Sequence, residues 1–204
     1  SVAEMTLGFM LALSRNLFKG SNELKRGVWN KNRGLQLSGR TVGIIGVGNI
    51  GKEVVRLLKP FGCRILVNDI IDQSDYYRAE GLAEVSKEEI FTRADIVALH
   101  VPLTSETRRM VNRETLALMR PDAYLINTAR GPLVDYSALK EALSSQRIAG
   151  AAVDVYDEEP PTDRELLSLD TLICTPHTGG NSQEAVIAMG MSAIEHLKRH
   201  FLAA

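Results

Sequence analysis

The chain has 204 residues, of which 24% are charged, a formal net charge of -1 and two cysteines. That length buries one sizeable core and leaves two full domains cramped. The lack of a basic surplus argues against nucleic acid and anionic membrane as partners, and two cysteines far apart in apolar strand-like surroundings, Cys63 and Cys174, read as reduced core thiols of a cytoplasmic protein.

In chain order, SVAEMTLGFMLALSRNLF predicts a helix over residues 2–18. Glu4 and Arg15 bracket an uncharged run of only ten residues, too short to span a bilayer. Between Leu7 and Leu13 the helix is apolar nearly all round, which predicts cover on several sides, some of it from a missing domain or a second subunit. The chain opens inside this helix without an initiator methionine and reads as a piece of something longer. Residues 20–40, with four glycines and Trp29, the only tryptophan, read as a long loop or arm in which Trp29 either anchors a homodimer interface or folds onto its own domain.

TVGIIGVGNIG (41–51) follows: a β-branched run for a strand buried on both faces, a glycine turn, and a helix closed by Pro60 and Gly62. Strand, turn and helix give the context that makes GxGxxG informative. Gly46 permits the turn, Gly48 lets backbone approach a pyrophosphate, and Gly51 lets helix and strand pack closely. The next strand, RILVND, ends in Asp69, 18 residues after Gly51, where a carboxylate meets ribose hydroxyls and repels a 2′-phosphate. These residues together predict an NAD site.

Beyond a polar stretch come a short strand at Leu82–Val85, a helix from the N-cap Ser86 through Arg93, and a buried strand at 95–101 ending before Pro102. A helix over Arg113–Met119, a strand at 123–129, a helix over Tyr136–Gln146, strands at 148–155 and 172–175 and a helix over Ser182–Phe201 complete the chain. Alternation at this pace predicts an α/β fold, a doubly wound parallel sheet. The reading is one dinucleotide-binding domain over 1–204: a helix and arm (1–40), a Rossmann core (41–180) and a C-terminal helix (181–204).

Ligands of such sheets bind beyond the carboxyl ends of the strands, and there the reactive side chains gather. Arg130, Glu159 and His177 follow three successive strands, a set suited to hydride transfer at a carbonyl: an anchor for a carboxylate, a carboxylate partner and a proton donor. Singly, each has a structural reading: Arg130 bonding carbonyls in its turn, Glu159 in a solvated acidic loop, His177 as a turn donor. His100, before Val-Pro, is better suited to lining an adenine pocket than to proton transfer. No Cys/His cluster has metal-binding spacing.

Six blocks in order, SVAEMTLGFMLALSR, TVGIIGVGNIG, HVPLTSET, LINTARGPLVD, AGAAVDVYDEEP and TPHTGG, resemble the cofactor domain of the D-isomer-specific 2-hydroxyacid dehydrogenases. The resemblance implies Arg130 as the substrate-binding arginine, Glu159 as partner of the histidine and His177 as acid/base. It implies NAD contacts at Asn49, Ile50, Asp69, His100, Val101, Pro102, Thr107, Thr128, Ala129, Arg130, Asp154, His177 and Gly180, with Asp154 on the nicotinamide carboxamide. The 29-residue step from Arg130 to Glu159 and the 18-residue step to His177 fit the phosphoglycerate and glyoxylate/hydroxypyruvate branches, and TPHTGGNSQEA resembles the former. A D-lactate branch carries a longer insertion, and formate dehydrogenases carry glutamine at the Glu159 position. The family's substrate domain is expected outside these residues. A rival reading is a corepressor-like, NAD-binding interaction module, since such relatives keep the same fold and triad.

Overall fold

Val42, Ile44 and Ile45 leave almost no surface exposed, because the strand they form, β1 (Thr41–Ile45), is covered on both faces. The computed structural model describes residues 1–202 of the chain. Six further parallel strands join β1: β2 (Arg64–Asn68), β3 (Ala83–Glu84), β4 (Ile96–Leu99), β5 (Tyr124–Asn127), β6 (Gly150–Val153) and β7 (Leu172–Cys174). Their order is β3-β2-β1-β4-β5-β6-β7, so the winding reverses between β1 and β4, the crevice where doubly wound sheets bind ligands.

Among the described residues nine α-helices accompany the strands: α1 (Val2–Ser14), α2 (Leu17–Lys25), α3 (Asn49–Leu58), α4 (Ser74–Glu80), α5 (Lys87–Arg93), α6 (Arg113–Leu118), α7 (Tyr136–Ser144), α8 (Arg164–Leu167) and α9 (Gln183–Leu202). Side chains alternate across the sheet. Ile45, Leu99, Leu125 and Val153 pack with Phe91, Leu116 and Leu139 on one face. Ile44, Val67, Ala98 and Ile126 pack with Phe9, Met10, Val54 and Leu58 on the other. Local chemistry sets the helix starts: Ser86 and Glu89 form a reciprocal capping box on α5, and Asp135 accepts the Ser137 and Ala138 amides on α7.

Several expected boundaries move. The helix predicted over 2–18 breaks after Ser14, where Asn16 takes a left-handed conformation (φ 53°), and α2 occupies the first part of the expected arm. Periodicity predicts neither α4 nor α8: each buries a single side chain, Tyr77 and Leu166, so neither carries an apolar period. Much of the cover expected for α1 comes from its own chain, with Met5, Leu7 and Leu11 left half-buried. This helix packs on α3, β5 and β6 of its own chain and buries Phe9, Met10, Ala12 and Leu13. Apolar surface instead remains open just after it, at Leu17, Phe18, Leu24 and Trp29, the last 78% exposed. α9 likewise leaves Ile187, Met191, Ile194 and Phe201 open. The segment expected to run over 181–204 passes beyond the described residues at 203 and 204.

Among the described residues, no helix is long and apolar enough to cross a membrane, and no cluster of His, Cys, Asp and Glu is placed to hold a metal ion.

Candidate active site

One row of the sheet ladder runs through Asn68, Ile45, Leu99, Asn127, Val153 and Cys174, the last residues of β2, β1, β4, β5, β6 and β7. The next residue on each strand is Asp69, Gly46, His100, Thr128, Asp154 or Thr175. Five of these six are residues singled out in the sequence; register places them in a single line along the carboxyl edge.

On the β2–β1–β4 side, the line borders a groove of ≈ 420 Å³ lined by Gly46, Gly48, Asp69, His100, Val101, Pro102 and Thr107, with Ile70 and Ile71 at its mouth. Gly46 has φ +95°, and a Cβ there would sit 2.5 Å from the His100 carbonyl oxygen. A Cβ on Gly51 would overlap the Gly46 carbonyl oxygen, so strand and helix approach only through glycine. α3 starts from Gly48 with no side-chain cap, which leaves its first amides for an anion. Asn49 and Ile50 form that first turn. Thr107 Oγ1 donates to the Pro102 carbonyl at 2.7 Å and shapes the far wall.

Asp69 Oδ2 accepts the Val47 amide at 2.6 Å and Oδ1 accepts the Ile71 amide at 3.0 Å. Its carboxylate therefore braces the glycine turn and retains lone pairs for ribose hydroxyls. His100 is half-buried as a residue, yet both ring nitrogens are sealed from solvent with no hydrogen-bond partner among the described residues. Burial pushes its pKa down to about 4, so the ring is neutral at physiological pH.

On the β5–β7 side, His177 Nδ1 lies 2.8 Å from Glu159 Oε2, and Glu159 Oε1 accepts the Tyr156 amide at 3.1 Å. The His177 hydrogen bond, foremost, holds the Glu159 carboxyl below its ordinary range; partial burial opposes this, while the Tyr156 amide and the charges of His177 and Arg130 add to it. The side chains of His177 and Glu159 are 48% and 39% exposed, so the pair opens to solvent. His177 has φ 53°, a left-handed conformation. Asp154, only 1% exposed, holds that turn: it accepts from Thr175 Oγ1 at 2.5 Å, from the Thr178 amide at 2.8 Å and from the Gly179 amide at 2.7 Å. Gly180 follows, with open space on its Cβ side.

Arg130 enters from the loop after β5. Asn127 shapes this loop by accepting the Ala129 amide and donating to the Arg130 carbonyl. The guanidinium is exposed and donates to the Ala129 carbonyl at 2.5 Å, close to the structural reading weighed for it, and so remains available to a ligand. Tyr156, which the sequence did not single out, joins the three loops. Its amide reaches Glu159, its hydroxyl donates to the Thr175 carbonyl at 2.9 Å, and its carbonyl blocks any Cβ on Gly131 beside Arg130. Tyr136 donates to the Val155 carbonyl and stacks on Tyr156 at 6.1 Å. An aromatic residue in a loop carries no sequence signal for such a role.

Fold, switch-point groove and glycine turn define a dinucleotide-binding α/β domain. Residues 7–179 match the family model described as D-isomer specific 2-hydroxyacid dehydrogenase, NAD binding domain. The chain is 45% identical over 202 residues to D-3-phosphoglycerate dehydrogenase of Methanocaldococcus jannaschii, covering 98% of this chain and 38% of that protein. It is 40% identical over 202 residues to hydroxypyruvate reductase of Thermotoga maritima, covering 97% and 65%. Among solved structures, D-lactate dehydrogenase of Aquifex aeolicus complexed with NAD and lactic acid superposes with a TM-score of 0.90 at 29% identity, covering 99% of this chain and 66% of that one. The chain belongs to the D-isomer-specific 2-hydroxyacid dehydrogenase family and comprises its NAD-binding domain. It spans between about a third and two thirds of the length of the curated relatives it matches. The Gly46 turn, the uncapped start of α3 and the Asp69 carboxylate fit NAD.

Proposed function

We propose that the protein containing these residues is an NAD-dependent oxidoreductase that interconverts a 2-keto acid and a D-2-hydroxy acid. The Glu159–His177 pair beside Arg130 carries this reading. Bound NAD supplies the hydride chemistry. His177, with Nδ1 engaged by Glu159, leaves Nε2 to give a proton to the carbonyl oxygen or take one from the alcohol. Glu159 stays ionised, orients the ring and favours its protonated form. Arg130 pairs with the substrate carboxylate and polarises the carbonyl. Asp69 selects NAD over NADP by like-charge repulsion of a 2′-phosphate.

Within the family the reading favours a 3-phosphoglycerate dehydrogenase-like activity, with a hydroxypyruvate or glyoxylate reductase second; the likeness to the M. jannaschii and T. maritima proteins supports this order. The protein is further proposed to be a cytoplasmic homodimer. Free Cys63 and Cys174 thiols suit a reducing compartment, and the open α2–Trp29 surface suits a second copy.

The test is steady-state turnover by the full-length protein with NADH and a panel of 2-keto acids, and in the reverse direction with NAD and 3-phosphoglycerate. Enzyme-like rates on one of them support the proposal; absence of turnover with retained NADH binding favours the corepressor-like reading. The 204-residue chain alone should bind NADH but turn over poorly, because the His177 site is open to water. Positioning and water exclusion then fall short, and positioning alone reaches roughly 7–11 kcal/mol.

A further inference from the structure

The first two turns of α1 contact two of the three loops of the Glu159–His177–Arg130 cluster, the turn after His177 and the segment before Arg130. Ser1 Oγ donates to the Gly179 carbonyl at 2.8 Å, and Val2 and Met5 border Gly179, two residues past His177. One turn further along, Thr6 Oγ1 donates to the Val2 carbonyl at 2.9 Å and lies 3.0 Å from Thr128 Oγ1. Thr6 is 0% exposed and Thr128 7% exposed. A hydroxyl carries one proton. With that of Thr6 placed on Val2, Thr128 is the donor in the pair. Thr128 sits on the strand-end row, two residues before Arg130, and this contact joins it to an element 122 residues away in sequence.

We propose that Thr6 is a positioning residue, its hydroxyl anchoring Thr128 and so setting the Thr128–Arg130 segment at the nicotinamide end of the site. Asn127 closes the loop from within β5, and the Thr6–Thr128 pair is the side-chain hydrogen bond, among the described residues, that ties it to the helix that also braces the His177 turn. Seating of α1 is thereby coupled to Arg130 and to the turn that carries His177. The inference rests on the oxidoreductase reading and adds a residue outside the strand-end loops.

The experiment compares Thr6→Val, which keeps the shape and removes the hydroxyl, with Thr6→Ser, which keeps the hydroxyl, in the full-length protein. Turnover, NADH affinity by calorimetry, Tm and amide hydrogen exchange over 128–131 are measured for each. Thr6→Val should lower kcat/KM roughly 10- to 100-fold, since small misplacements cost that much, and speed exchange in 128–131. Thr6→Ser should stay within about threefold on the same scale. Thr128→Val breaks the bond from its other end. Combined with Thr6→Val it should cost little beyond Thr128→Val alone, because Thr6 acts through Thr128. A Thr6→Val protein with a lowered Tm but unchanged turnover, NADH affinity and exchange overturns the proposal, as does equal impairment in Thr6→Ser. If Thr6→Val does not fold, Thr128→Val with normal kinetics and exchange overturns it equally. If the unmutated protein turns over no 2-keto acid, the oxidoreductase reading fails by itself. NADH affinity and exchange in the variants then still decide the role of Thr6.

Discussion

The Asp69 carboxylate accepts the Val47 amide at 2.6 Å, tying the end of β2 to the centre of the glycine turn after β1. One side chain therefore shapes the pyrophosphate turn and faces the groove that would take the ribose. Asp69→Ala should weaken NADH binding, narrow the preference for NADH over NADPH and cost stability, since a hydrogen bond to a charged group is worth about 1.5–3 kcal/mol. Parallel titrations with the two cofactors and a urea midpoint check this. Equal affinity of the unmutated protein for both cofactors would refute Asp69 as the selector.

His177→Ala in the full-length protein should lose roughly 10²–10⁴-fold in turnover while NADH affinity changes little. Glu159→Gln keeps an acceptor for Nδ1 but removes the charge that favours imidazolium, so the pH–rate profile of keto-acid reduction should move to lower pH. The Glu159 carboxyl is held below its ordinary range, so the stability its carboxylate contributes is full above the usual carboxylate pKa and is lost as pH falls through the lowered value. An unshifted profile in Glu159→Gln would remove Glu159 from the proton-transfer role.

His100 gives the folded protein a pH dependence of opposite origin. Its pKa falls from 6.5 to about 4 on burial, so the unfolded chain binds the extra proton first. Stability from this group is complete above pH 6.5 and declines as pH drops toward about 4, by on the order of 3 kcal/mol. His100→Gln should flatten that decline relative to the unmutated protein. Urea midpoints of both proteins at pH 7 and pH 4.5, without cofactor, provide the comparison; parallel curves would show that His100 titrates normally.

Trp29 stands 78% exposed beside Leu24 and Val28, on a segment whose neighbouring helix α1 is already covered by its own domain. If this surface closes a homodimer, Trp29→Ala should cost about 2 kcal/mol or more of association, roughly 30-fold in dimer affinity. Analytical ultracentrifugation across micromolar concentrations reads this directly. A protein that sediments as a monomer before the substitution would end the proposal.

Much of the fold was legible because local chemistry and burial period agree. β1, β4, β5 and β6 are β-branched or small apolar runs buried on both faces, and Ser86 caps a helix with its own Glu89. The gathering of Arg130, Glu159 and His177 at one edge was legible because each follows a strand by a few residues, and in a parallel sheet all carboxyl ends face one way. α4 stayed hidden because SDYYRAE buries only Tyr77, which leaves propensity without a periodic signal.

By itself the sequence determined that Gly46, Asp69, His100 and Asp154 stand at or near strand ends, because in a parallel sheet the residues after each buried run gather at one carboxyl edge. Only the tertiary structure decided what those residues do to one another. Strand register aligned them in a single row, and chain folding brought Thr6 to Thr128, Asp154 to the Gly179 amide, and Tyr156 to Glu159 and Thr175. The fate of α1 was decided there too, since an apolar helix records only its need for cover, and β5, β6 and α3 supplied it. The physical reason is range. Periodicity and capping act within a few residues and are written locally, whereas these hydrogen bonds join elements whose distance depends on how every intervening layer packs.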